Sequence, residues 1–130
     1  MTQPTWITDD VVRAVHLRLL TEHDGPPGIR DPGPLAPAWA RPRQIWSSEP
    51  QSTIARLAGA HAYGILRNHP FADGNQRVAL VLALLFLDLN GYVLEARQED
   101  RYTAIMALAS GGHTEADLTS WLDRHARASG

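Results

Sequence analysis

From Val78 to Leu89 the chain reads VALVLALLFLDL, in which Asp88 near the end is the single charged side chain. A helix built from this stretch is apolar on nearly every side, so it has no face to give to water and must be surrounded by other elements. It is also well short of the ~20 apolar residues needed to cross a bilayer. Both limits point to a buried core helix, as at the centre of a bundle, and to no membrane span. Asn90 and Gly91 supply its C-terminal stop.

The rest of the chain offers helices to surround it. Thr8 reads as an N-cap with Asp9 and Asp10 in the first turn, and Val11, Val12, Val15, Leu19 and Leu20 form a stripe at helical spacing that ends near Asp24 and Gly25. His16 and His23 on this helix read as solvated or capping groups. Gln51 to Asn68 repeats Ile54, Leu57, Ala58, His61 and Ile65 at intervals of three and four, an amphipathic helix in which His61 is a core residue. Gly59 and Gly64 each cost this helix about 1 kcal/mol relative to Ala, which close helix packing would offset. Tyr92 to Ala96 reads as a brief extended link. Gln98 to Ser110 is a further helix with Tyr102, Ile105, Met106 and Ala109 on one face. Thr114 and Asp117 resemble a capping box for a last helix that docks Leu118, Trp121 and Leu122, with His113 and His125 as solvated end residues. Between Gly25 and Pro50, prolines at 26, 27, 32, 34, 37, 42 and 50 exclude a long uninterrupted helix and predict a loop with short helical turns.

The chemistry concentrates between two of these helices, in His69 to Arg77, HPFADGNQR. Pro70 pushes His69 toward extended dihedrals and so ends the preceding helix. Gly74 permits the turn back into helix, and Asn75 is a good N-cap. The first-turn N–H groups of Gly74, Asn75, Gln76 and Arg77, aided by the macrodipole, form an anion site suited to phosphate. Arg77 fits that account, because a cation in a first turn opposes the macrodipole at roughly 0.3 to 1 kcal/mol unless an anion is near. Asp73 would either pair with Arg77 or hold a hard divalent ion, and His69 is left as a base for a hydroxyl proton. Spacing alone leaves a purely structural turn equally open.

HPFADGNQR resembles the signature of the Fic/Doc family, which runs His, any, Phe, any, Asp or Glu, Gly or Ala, Asn, a variable position, Arg. His69, Phe71, Asp73, Gly74, Asn75 and Arg77 all fall in place, and GIRDPG at Gly28 to Gly33 with Ala40, Arg41 and Pro42 is similar to the upstream segment of the Doc-like branch. The resemblance implies a compact all-helical bundle and transfer of part of a nucleoside triphosphate to a protein hydroxyl. Adenylylating members have a second glycine where this chain has Gln76, and an Arg where it has Leu80. The Doc branch, the death-on-curing toxins of toxin–antitoxin pairs, lacks both and transfers the terminal phosphate.

The implied roles are these. His69 is the catalytic base, Asp73 holds Mg2+, and Gly74, Asn75, Gln76 and Arg77 bind the phosphates of ATP or another nucleoside triphosphate. Phe71 anchors the motif loop of residues 69–77, and part of the proline-rich segment 25–50 forms a flap over the site. The acceptor implied is a Ser or Thr hydroxyl of a target protein, elongation factor Tu in the Doc branch, with translation inhibited. AMP transfer and a catalytically silent binding protein are the alternatives. The family's inhibitory motif, Ser or Thr followed four places later by Glu and then Gly or Asn, is absent from the sequence, so restraint is expected from an antitoxin chain acting in trans.

Composition narrows the remaining classes. At 130 residues a single domain over 1–130 can bury one sizeable core. Net charge is −2 and the pI is near 6.3, which gives no global footprint for direct nucleic-acid binding. Cysteine is absent and MTQPTWITDD lacks the regions of a signal peptide, so a cytoplasmic location is expected.

Overall fold

The computed structural model describes residues 3–23, 32–68 and 74–129, with the backbone alone at 20–23 and 32–39. Within these residues the order is α1 (Asp9–His23), α2 (Pro32–Ser48), α3 (Ile54–Asn68), α4 (Asn75–Leu89), β1 (Tyr92–Leu94), α5 (Gln98–Ala109), α6 (Glu115–His125) and β2 (Ala126–Ala128). The expected all-α bundle is what the chain forms, and no described helix is long and apolar enough to cross a membrane.

α4 behaves as its sequence requires: no residue from Val78 to Leu87 is exposed, and Phe86 is fully buried. It shares the centre with α3, which packs on α2, α4, α5 and α6. α3 buries a small-residue surface of Ala55, Ala58, Gly59, Ala60, Ala62 and Gly64 besides its larger apolar positions. Small residues are what let neighbouring helices approach on several sides. At Gly59 the approach is closest: a Cβ there would lie 2.9 Å from Thr119 Oγ1 on α6. Thr53 Oγ1 accepts from Arg56 N at 3.0 Å and starts the helix.

The largest departure from expectation is α2, a 17-residue helix over part of the segment read as a loop. Pro32 and Pro34 stand at its first and third positions, where the backbone N–H would have no intrahelical acceptor in any case. Pro37 and Pro42 each forfeit one helical bond, but Pro42 is fully buried, and Ile45 and Trp46 further along pack against the core. Tertiary burial thus outweighs a local penalty of about 3 kcal/mol per interior proline. Residues 25–31 of the expected flap segment, Arg30 and Asp31 among them, lie outside the described residues.

Smaller corrections follow the same logic. His16, expected in solvent or at a cap, is only 5% exposed, because it falls four residues after the buried Val12 and so on the same face. Val11, expected in the apolar stripe, is exposed. The extended link at Tyr92 is a strand, paired antiparallel with β2 through Tyr92↔Ala128, Val93↔Arg127 and Leu94↔Ala126. The Asn90 side chain accepts from Thr5 N at 2.7 Å and donates to Thr5 O at 3.0 Å, so the turn after α4 also fixes the segment before α1. The Thr114–Asp117 capping box forms as expected. His125 is half-buried, with its ring 4.6 Å from that of Trp121.

Candidate functional site

α3 ends at Asn68 and α4 begins at Asn75, so the two central helices bracket the HPFADGNQR stretch. Two packed helices are a rigid mount for whatever the connecting turn carries. His69, Phe71 and Asp73 lie outside the described residues, together with the expected Asp73–Arg77 pairing. Gly74 to Arg77 are described, and they make the helix entrance.

Gly74 is the N-cap residue of α4, at φ 78° and ψ 17°. That left-handed conformation is open to glycine at little cost and is disfavoured for residues with a Cβ. Val78 N donates to Gly74 O at 2.9 Å, closing the first helical turn. Asn75, expected as the cap, is instead the first helical residue; no side-chain cap bond forms, and Asn75 is buried at 6% exposure. The turn needs no Asx cap because the glycine already sets the entry angle. Gln76 is half-buried and Arg77 exposed. The first turn of α4 carries no acidic residue, and Arg77 has no ion-pair partner among the described residues. A cation held at the positive end of a helix dipole raises the local affinity for an anion.

Beside this entrance lies an open cavity of about 570 Å³, walled by Gln76, Arg77, Leu80 and Val81 of α4 and by Glu99 and Tyr102 of α5. Leu80 is half-buried here and packs against the core, so this position offers the cavity an apolar wall and no cation. Tyr102 was expected on one face with Ile105, Met106 and Ala109, yet it is 53% exposed, while Ile105 is buried together with Ala104 and Leu108. The signal for this was present in the sequence, since Gln98 and Glu99 sit four and three residues before Tyr102 and share its face.

His61, read as a core histidine, is 3% exposed, with its ring centroid 4.7 Å from that of Phe86. Burial, and secondarily the charge of Arg43, push its pKa down to about 3, so it is neutral at ordinary pH. It belongs to the core. A polar cluster that sequence reading missed joins α2, α3 and α6: the Glu115 carboxylate accepts from Arg41 and from Arg56 Nη1, the latter at 2.8 Å. Partners 59 and 74 residues apart carry no local signal.

The Fic/DOC family model matches residues 6–87, which take in α1 to α3, α4 as far as Leu87 and the whole HPFADGNQR stretch. The chain is 31% identical over 85 residues to a protein named Protein kinase doc of Escherichia phage P1, covering 65% of this chain and 68% of that one. It is 36% identical over 69 residues to Toxin Doc of Mycolicibacterium smegmatis, covering 52% of this chain and 53% of that one. The match thus spans about two thirds of the first relative and about half of the second. With the motif in register between two central helices and the family model covering well over half of its length, this chain belongs to the Fic/DOC family, on its Doc branch.

Proposed function

We propose that this protein is a Doc-like toxin of a toxin–antitoxin pair, moving the terminal phosphate of a nucleoside triphosphate, ATP in the first instance, onto a Ser or Thr hydroxyl of a target protein. The observation that carries the reading is the entrance to α4: a left-handed Gly74, a first turn without acidic side chains, and Arg77 at the rim of an open cavity. Helix N-termini of this kind favour phosphate through their N–H groups and dipole. Gly74, Asn75, Gln76 and Arg77 hold the phosphates, and Phe71 anchors the loop. His69 takes the proton of the acceptor hydroxyl. The hydroxyl oxygen then bonds to the γ phosphorus, and the bond to the β–γ bridging oxygen breaks, leaving a nucleoside diphosphate. Catalysis of this type is chiefly positioning and charge neutralisation.

Mg2+ is the ion this reading calls for, since it binds through one or two carboxylates together with phosphate oxygens and water. Asp73 would hold it, and the ion would neutralise charge on the phosphates. The names of the two relatives, a protein kinase and a toxin, support phosphoryl transfer and a toxin–antitoxin setting. An apolar Leu80 and a bulky Gln76 along the cavity support it over AMP transfer, because position 80 brings no cation and position 76 no bare backbone. Elongation factor Tu is the first acceptor to try. Restraint comes from a partner chain, a partly disordered segment of which folds as a helix on this surface.

Label position decides the chemistry. Incubation with γ-labelled ATP, Mg2+ and purified elongation factor Tu or a cell lysate should label protein, and α-labelled ATP should not. His69→Ala should abolish the label while leaving the melting temperature nearly unchanged. Transfer from the α position would show AMP transfer instead, and parent-rate labelling by His69→Ala would remove the base assignment.

A further inference from the structure

Two adjoining cavities share Tyr63 and Arg67 of α3. The first, about 390 Å³, runs between α2 and α3, with Arg41 and Gln44 on one side and Arg67 and Asn68 on the other. The second, about 500 Å³, continues past Tyr63 and Arg67 to Ser110, His113 and Glu115. Together they make one groove along the C-terminal half of α3. Its end adjoins the motif in the chain, because Asn68 lines it and HPFADGNQR begins at the next residue.

The charge of this groove runs against that of the whole chain, which is −2. The one carboxylate in its walls, Glu115, is 13% exposed and already accepts from two guanidiniums, Arg41 and Arg56. Arg41 is further fixed by lying 5.0 Å over the Tyr63 ring. Arg67, by contrast, is exposed and has no hydrogen bond or ion pair among the described residues. An uncommitted guanidinium beside an aromatic ring, in a groove that is cationic on balance, suits a carboxylate held bidentately.

We infer that this groove, with Arg67 as its anchor, docks an acidic extended segment of the protein acceptor and leads its hydroxyl toward His69. The inference rests on the phosphotransferase reading and adds to it a residue that selects the acceptor without touching the reacting atoms. Arg67 is a positioning residue, and removing it should weaken acceptor binding while sparing nucleotide binding.

The probes are two fluorescein-labelled peptides of equal length with a central Thr, one flanked by Glu and the other by Gln, with a third flanked by Lys for the reversed charge. Fluorescence anisotropy with the full chain should give at least fivefold tighter binding for the Glu peptide than for the Gln peptide. Arg67→Ala should erase that difference, and Arg67→Glu should reverse it in favour of the Lys peptide. Both variants should keep the parent melting temperature and the parent stabilisation by ATP and Mg2+. Equal binding of Glu and Gln peptides, or an unchanged preference in Arg67→Ala, would overturn the inference. So would displacement of the Glu peptide by millimolar inorganic phosphate, which would make the groove a site for small anions. ATP stabilisation, read on the same samples, stands apart from these outcomes: its loss in the parent protein would count against the phosphotransferase reading, whereas its presence with no peptide preference would count against the groove alone.

Discussion

Replacing His61 by Leu should flatten the acid limb of the stability curve. In the folded chain burial holds the imidazole pKa down to about 3, against 6.5 in the unfolded chain. Between those values the unfolded state binds the extra proton, so stability is fully present above about pH 6.5 and is lost as pH falls toward 3. Integrating over the upper part of that window, the protein should lose about 2 kcal/mol of unfolding free energy between pH 7 and pH 5 from this one ring. Urea denaturation at the two pH values, followed by far-ultraviolet circular dichroism, gives the number. His61→Leu keeps an apolar side chain of similar reach against Phe86 and has nothing to protonate. The other five histidines are common to both proteins, so the difference between the two pH responses isolates residue 61. Equal losses in the parent and in His61→Leu would show that the ring takes up its proton without unfolding, and the burial argument would fail.

Two further substitutions test the packing. Gly59→Ala gains helix propensity but puts a Cβ 2.9 Å from Thr119 Oγ1, so a net loss of about 1 kcal/mol is expected from overpacking. Adding Thr119→Ala, which deletes a buried hydroxyl with no partner among the described residues, should restore stability in a double-mutant cycle; strict additivity would contradict the contact. Glu115→Ala leaves Arg41 and Arg56 without their shared carboxylate. Since both guanidiniums are partly exposed, the cost should be about 1 to 2 kcal/mol, between surface and buried pairs. A urea midpoint within error of the parent would show that the cluster contributes nothing.

The fold was legible wherever periodicity and burial agree. VALVLALLFLDL could only be a surrounded helix, and the spacing in α3 and the Thr114–Asp117 box named their elements correctly. Reading failed where tertiary contacts outweigh local rules. α2 persists through Pro37 and Pro42 because burial of Pro42 and the core packing of Trp46 offset the lost bonds. The β1–β2 pairing joins residues more than thirty positions apart, and neither strand has enough length to show a pattern. At the site, the glycine turn was readable and the capping residue was not: Gly74 alone sets the entry, which frees Asn75 to be buried. Glu115, Arg41 and Arg56 meet only in three dimensions.

The account stands on the start of α4 as a holder of nucleotide phosphate. Titration of the ¹⁵N-labelled protein with ATP and Mg2+, followed through backbone amide resonances, tests this directly. Saturable shifts at Gly74, Gln76 and Arg77 that exceed those in α6 are expected. Amides at 74, 76 and 77 that stay in place while nucleotide binds elsewhere, or while none binds, would contradict it.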